Sequence, residues 1–289
     1  MGLILALITY IGWGTGDIFG IMATRRVGAY TTTVWVLIFG VLLSSLYIPF
    51  ALQDLGKITL PFFLLNMVLG TAYLFGNFLV NQAFRSSNAS VVGIIIQSFP
   101  AIVLILSALI FRDTITAKQV LWICMIFLGV FLCSFDTKDM KNLQLLKDYG
   151  IRLALIATFI FSIYFTFLRV FTETYNWFWP NYISFLTFPL ALWLVRVVFK
   201  NVGSSYIPQN KSILVIIALS ALLLRAGDIA LNYGIGNGFS SLVAPIAGAS
   251  PTLFVVLSYL IFKDPIKKQQ KLGIGISLIG IVLLSFFSA

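Results

Sequence analysis

Apolar residues run along this chain in long uninterrupted blocks separated by short polar turns. Ten blocks can be drawn, at 2–22, 30–51, 60–82, 89–111, 119–135, 151–171, 180–199, 212–234, 240–262 and 270–288. A helix needs about 20 mostly apolar residues to cross a hydrocarbon core of roughly 30 Å. Lipid offers backbone N–H and C=O groups no partners, so spanning segments are helices or closed barrels. Barrel strands alternate polar and apolar positions over about ten residues. The block at 91–111 does not alternate, so the spans are predicted to be helices. Connectors are short, which forces consecutive helices to run antiparallel. The exception is the polar stretch 136–150, DTKDMKNLQLLKDYG, at the midpoint of the chain. It reads as a linker between a first five-helix unit, 1–135, and a second, 151–289.

The two units are related in sequence. An offset of 151 pairs 81–135 with 232–286 without a gap, and 19 of these 55 positions are identical. Asn81 falls on Asn232, Pro100 on Pro251 and Gly129 on Gly280. SALIFRDTITAKQ (107–119) falls on SYLIFKDPIKKQQ (258–270), bringing Asp113 onto Asp264 and Gln119 onto Gln270. Unrelated greasy segments share Leu and Ile by chance, but not Asn, Pro, Asp, Gln and Gly in register. An odd number of helices per unit makes the second enter the membrane from the opposite side. The predicted fold is therefore an all-α membrane protein with ten transmembrane helices as two inverted five-helix repeats. Inverted repeats are a recurrent plan of secondary transporters, with the solute site near the midplane.

Composition supports a membrane setting: 60% of residues are apolar and 10% charged. A soluble domain of this length cannot hide so much apolar surface. The net charge of +10 comes from residues at span ends, as in basic loops, and not from a nucleic-acid-binding face. Fourteen Lys and Arg fall on one side of the ten-helix drawing, among them Arg25, Arg26, Arg85, Arg196 and Lys263. Four fall on the other side: Lys57, Arg112, Lys118 and Arg169. The positive-inside rule makes the richer side cytoplasmic and puts both termini outside. Cys124 and Cys133 lack metal-ligand spacing and read as buried apolar fillers. The first segment lacks a charged leader and is expected to be retained.

Charge within the hydrocarbon is costly, about 2.5–3.5 kcal/mol at a helix centre. Two acids sit well inside spans, Asp17 and Asp228. Arg225 lies three residues before Asp228 on the same helical face, and Asn232 extends that face by a turn. Leu74, Asn77 and Asn81 occupy the corresponding positions of the first unit. Tyr73, Asn77 and Asn81 make a second polar stripe, and Tyr10, Trp13 and Asp17 a third. Facing lipid would penalise all three, so they are expected to converge on one cavity. Gln97 precedes Pro100, where the ring leaves a backbone carbonyl without its usual donor. Competing structural roles exist. Arg225 and Asp228 could neutralise each other, the asparagines could tie helices together for about 0.6 kcal/mol each, and Asp17 could be hydrated at the interface. Gly273, Ser277 and Gly280 read as helix packing, and Trp177 and Trp179 as an interfacial belt.

The five-plus-five arrangement, the pair Trp13-Gly14 and the twice-occurring F-[RK]-D…Q turn resemble the EamA-like branch of the drug/metabolite transporter superfamily. The resemblance spans essentially the whole chain, although Asp113 and Asp264 stand where many relatives carry Glu. It implies exporters or importers of amino acids, nucleotide-type metabolites or amphiphilic cations, with termini more often cytoplasmic. The expected function is secondary active transport, as an exporter, of a small metabolite such as an amino acid by alternating access. The expected solute-binding set is Trp13, Asp17, Tyr73, Asn77, Asn81, Gln97, Tyr164, Arg225, Asp228 and Asn232. Arg225 would meet a carboxylate or phosphate, the asparagines would hydrogen-bond, and Trp13, Tyr73 and Tyr164 would supply aromatic faces. Asp17 or Asp228 could exchange a proton and couple transport to a gradient. The expected partners are a small-molecule solute, the lipid bilayer and protons, with no cofactor, metal or nucleic acid, in a monomer or loose dimer of a prokaryotic plasma membrane. A channel or a membrane-embedded enzyme is the alternative. No histidine is available as base or ligand, and no filter-like ring is visible.

Overall fold

A computed structural model describes residues 1–87, 92, 95–96, 98–111, 116–134, 148–199, 202, 205–263 and 266–287. In the first unit, helices α1 (Gly2–Val27) and α2 (Ala29–Ser45) are followed by the short α3 (Ile48–Ala51), which runs into a 3₁₀ turn at Leu52–Lys57. Then come α4 (Leu60–Ser86), α5 (Phe99–Phe111) and α6 (Ala117–Ser134). In the second unit, α7 (Tyr149–Tyr175) is followed by α8 (Phe178–Leu186), α9 (Phe188–Val198), α10 (Lys211–Gly236), α11 (Ser240–Ala247), α12 (Ser250–Phe262) and α13 (Lys268–Phe287). Among the described residues there are no strands. Among the described residues, five segments are long and apolar enough to span a bilayer, and up to seven if each bent pair counts as one.

Several helices overrun the apolar blocks. α1 reaches Val27 and not residue 22, and α4 reaches Ser86 and not 82. The extra turns carry Arg25, Arg26 and Arg85. Hydropathy stops at the first arginine, whereas the helix continues and sets the cation against its negative C-terminal pole. Two blocks expected to be straight are broken. The second span of each unit bends, by 54° between Ser45 and Ile48 and by 43° between Leu186 and Phe188. Pro49 and Pro189 enter at the start of each outer piece. A proline there lacks the N–H and clashes with the carbonyl four residues back.

The closest helix pairs are α1 with α10, α4 with α7 and α6 with α13. Exchanging the two units turns the first pair into the second and leaves the third unchanged. Direction completes the symmetry. The C-termini of α1 and α4 meet at one mouth, lined by Arg25, Arg26 and Arg85. Tyr73 stacks on Tyr164 and Phe62 on Tyr175, so α7 runs antiparallel to α4 and its N-terminus lies at that mouth. Equivalent helices α1 and α7 thus run in opposite directions, which is an inverted repeat.

Glycines permit the closest approaches. A Cβ on Gly227 would lie 2.8 Å from Cδ1 of Trp13, and one on Gly76 would lie 2.8 Å from Cε1 of Phe161. Gly76 and Gly227 are equivalent under the 151 offset, and each admits an aromatic ring from the first helix of the opposite unit. A Cβ on Gly129 would lie 2.4 Å from the backbone N of Ser277, so the Gly273–Ser277–Gly280 face packs as expected.

The repeated glutamine of the turn motif caps a helix. Gln119 Oε1 accepts from the backbone N–H of Thr116 at 3.0 Å, and Gln270 Oε1 from that of Lys267 at 2.8 Å. Each reaches back from the third helical position to an N–H that the helix leaves unpaired. Asp113 and Asp264, and residues 136–147 of the linker, lie outside the described residues. Cys124 is exposed, not buried, because it sits on the outer face of α6.

Candidate solute-binding site

Arg225 and Asp228 form an ion pair within α10, 8% and 4% exposed. Trp13 Nε1 of α1 donates to Asp228 Oδ1 at 2.9 Å. The Arg225 guanidinium lies over the ring of Phe185, with Cζ 3.3 Å from the ring centre. Its stem passes Gly40 of α2, where a Cβ would lie 3.3 Å from Cδ and Nε. The cation therefore sits between the two bent spans, α2 on one side and α8 on the other. Burying both charges is tolerable because each also has a further partner, the indole for Asp228 and the aromatic face for Arg225. Arg225 Nη1 is buried and has no hydrogen-bond partner among the described residues.

Arg225 lines a central cavity of about 90 Å³ together with Asp17, Asn77, Asn81, Thr33 and Phe185. Asp17 makes no hydrogen bond or ion pair among the described residues. Asn77 Nδ2 donates to the carbonyl of Tyr73 at 3.0 Å, and Asn81 Nδ2 to Thr33 Oγ1 at 2.9 Å. The three polar stripes thus contribute four expected residues to one space. Asp228 stands behind Arg225. Asn232 is 1% exposed, does not line the cavity, and its Nδ2 donates to the Asp228 carbonyl at 2.7 Å.

The aromatic residues lie to one side of the cavity. Tyr73 and Tyr164 stack at 4.2 Å, and Trp13 packs against Phe99 and Phe165. Neither tyrosine nor Trp13 is part of the cavity wall. Tyr10 leaves its stripe and bonds Thr252 at 2.8 Å. Gln97 lies outside the described residues. Phe185 and Thr33 were missed. One phenylalanine among 27 carries no signal, but Thr33 belongs to the run Thr31-Thr32-Thr33, a polar patch at the start of a span.

The two ends of the cavity differ. Toward the C-termini of α1 and α4 it adjoins a vestibule of about 560 Å³, and Ile21, Asn81 and Phe84 belong to both walls. Toward the other end lies a packed cluster of Ala51, Phe62, Phe171, Phe178, Trp179 and Tyr182. Trp179 is buried there and donates to the Ala51 carbonyl at 2.9 Å, so it belongs to this closure and not to an interfacial belt. Asp54 bonds both Lys57 and Asn176, tying the turn after α3 to the turn between α7 and α8.

An inverted-repeat bundle with a polar cavity between its halves is a recurrent plan of integral membrane transporters. The chain matches the EamA-like transporter family over residues 1–135 and again over 148–286, and it belongs to that family. It is 28% identical over 141 residues to an uncharacterized protein of Methanocaldococcus jannaschii, covering 97% of that protein and 48% of this chain. It is 23% identical over 290 residues to an uncharacterized transporter of Clostridium kluyveri, covering 98% of this chain and 92% of the relative. A protein of known crystal structure superposes with a TM-score of 0.76 over 99% of this chain and 96% of its own, at 16% identity. That likeness concerns the fold.

Proposed function

We propose that this chain is a secondary transporter that exports a small polar metabolite by alternating access, with Arg225 reading a carboxylate or phosphate on the solute. The observation that carries this reading is the buried Nη1 of Arg225, without a hydrogen-bond partner among the described residues, at the wall of the central cavity. A buried guanidinium nitrogen without a hydrogen bond is costly, and an oxyanion acceptor satisfies it with a charge-assisted bond. Asn77 and Asn81 supply donors and acceptors beside it, and Asp17 offers a carboxylate to an ammonium or hydroxyl. A solute with an ammonium and a carboxylate, such as an amino acid, satisfies both ends.

In this reading the vestibule at the arginine-rich end is the open entrance, and the packed aromatic cluster toward the other end is the closed gate. The positive-inside rule makes the open end cytoplasmic, which is the loading state of an exporter. Rocking of the halves about Arg225 would open the Trp179 cluster and close the vestibule. Asp17 is the group available to exchange a proton with the cavity. The direct test is a thermal-shift screen of the purified protein against amino acids, organic acids, nucleotides and organic cations. A binder at 100 times its Kd adds about 2.7 kcal/mol to stability. Stabilisation by a carboxylate-bearing solute is expected, and it should vanish in Arg225→Leu/Asp228→Asn. Stabilisation by organic cations alone, unaffected by that pair, would contradict the reading.

A further inference from the structure

Asn66 of α4 lies seven residues before Tyr73, is wholly buried, and is not part of the cavity wall. Its amide is spent on α8. Nδ2 donates to the Pro180 carbonyl at 2.8 Å, and Oδ1 accepts from the Ser184 hydroxyl at 3.0 Å. One turn further along α4, a Cβ on Gly70 would lie 2.5 Å from Cα of Ser184, so the two helices meet backbone to backbone. The helix held in this way joins the cavity to the aromatic end. Near its C-terminus Phe185 lies beneath the Arg225 guanidinium and meets Tyr73 edge to face, with ring centres 6.0 Å apart. Near its N-terminus Trp179 donates to the Ala51 carbonyl, and the Tyr182 hydroxyl bonds Ser45 Oγ at 2.9 Å. Ser45 and Ala51 belong to the bent span of the first unit. Nine helical residues make a rod about 14 Å long, which moves as one piece.

Exchanging the units carries α4 and α8 onto α10 and α2. Asn66 then falls on Ile217. Ile217 packs with Ala23, Val27 and Trp35 at the arginine-rich end, and its side chain can neither donate nor accept. The contact that pins α8 to α4 through an amide is therefore purely apolar where α10 meets α2.

We propose that Asn66 is a positioning residue of the transport cycle: by clamping α8 onto α4 it holds the aromatic end shut and makes the conformer open at the arginine-rich end the resting one. The proposal rests on reading the central cavity as a solute route, and it names the residue that sets the balance between the two ends. Hydrogen bonds between membrane helices are individually weak. Alternate conformers of one protein are also separated by little, so two such bonds shift their ratio severalfold. Opening the aromatic end must pull α8 from Asn66. Phe185 is the cavity end of the same rod, so that movement also displaces the ring beneath Arg225 and links the gate to the residue that reads the solute.

The balance can be read without knowing the solute and without transport. In a Cys124→Ala/Cys133→Ala background, Ala51→Cys places a thiol in the aromatic cluster, and Ile21→Cys places one where cavity and vestibule meet. Each purified protein, in a neutral detergent, is reacted with uncharged hydroxyethyl methanethiosulfonate, with and without Asn66→Ile, which copies Ile217 onto α4. That substitution strands no hydroxyl, because Ser184 Oγ also donates to the Pro180 carbonyl at 2.9 Å. The thiol at position 51 should react about eightfold faster, the population shift that two lost membrane hydrogen bonds produce. The thiol at position 21 should react no faster. Ser184→Ala removes one of the two bonds and should give about threefold at position 51, which keeps the test decisive if Asn66→Ile misfolds. Phe185→Leu frees the cavity end of α8 and should also raise the rate at position 51, by about threefold. Rates at position 51 that stay within the error of the parent protein in both clamp variants would overturn the proposal. So would rates that rise together at positions 51 and 21, the mark of a loosened fold. A response to the clamp variants but not to Phe185→Leu would overturn the link to Arg225. None of these results touches the solute-binding screen, and a failed screen leaves the thiol rates as they are.

Discussion

The helices α4 and α10 are the same element used twice, and they differ where the solute is read. On α4 the positions hold Leu74, Asn77 and Asn81, and on α10 they hold Arg225, Asp228 and Asn232. Each helix has a glycine, Gly76 or Gly227, that lets an aromatic ring from the opposite unit lie against its backbone. The asparagine bonds do not repeat: Asn232 donates to the Asp228 carbonyl, whereas its equivalent Asn81 donates to Thr33 Oγ1. The backbone packing is therefore symmetric and the polar contacts are not. Leu74 is 1% exposed and closes its side with apolar packing, whereas Arg225 carries a cation to the cavity wall. Inverted halves that must rock past one another need matching backbones, and a single solute needs only one charged reader.

Breaking the charged side alone should have the largest effect. Arg225→Leu strands Asp228, with Trp13 as its remaining hydrogen-bond donor, and should cost about 3–5 kcal/mol of stability. Expression level and the midpoint of thermal unfolding in detergent would register it. Asp228→Asn should be milder, because the Arg225 cation keeps the Phe185 face.

The shared glycines test the symmetric part. Gly227→Ala would push a methyl to within 2.8 Å of the Trp13 ring, and Gly76→Ala to the same distance from Phe161. Overpacking of this kind costs about 1–3 kcal/mol. If the repeat is a mechanical unit, the two variants should lose comparable stability by the same thermal assay. Gly227→Ala should weaken solute binding further, since it moves the indole that holds Asp228. Equal binding by the two variants would remove Trp13 from the account.

Asn81→Ala should have the smallest effect on stability. It loses one hydrogen bond to Thr33, worth about 0.6 kcal/mol within a membrane bundle. Because Asn81 belongs to both the cavity and the vestibule wall, its removal should raise the solute Kd by more than the stability change implies. Titration of that variant by thermal shift would separate the two contributions.

Much of this arrangement is legible in the sequence because membranes penalise exceptions. Asp17, Asn77, Asn81 and Arg225 stand out as polar residues in greasy spans, and all four line one cavity. The helix ends are less legible, since hydropathy cannot tell an arginine that ends a helix from one that extends it. The bends at Pro49 and Pro189 depend on how each proline meets the preceding turn, whereas Pro61, at the start of α4, opens an unbroken helix. Phe185 and Trp179 are apolar residues among many, and only packing distinguishes a ring beneath a cation from one in a closed gate. Asn232 lies on the expected face yet beyond the reach of the cavity, because a helical stripe fixes direction and not depth.

The central claim is that the charged couple on α10 serves the solute and not the fold. Arg225→Leu/Asp228→Asn copies onto α10 the Leu74 and Asn77 pairing that α4 already accommodates. Transport in proteoliposomes should be measured on this variant, beside its thermal stability, using the solute found by the binding screen. The account predicts near-normal stability, since no charge is left unpaired, and loss of transport by at least about 100-fold, the scale of a lost charged contact of roughly 3 kcal/mol. Normal stability with full transport would contradict it and return Arg225 to a structural role.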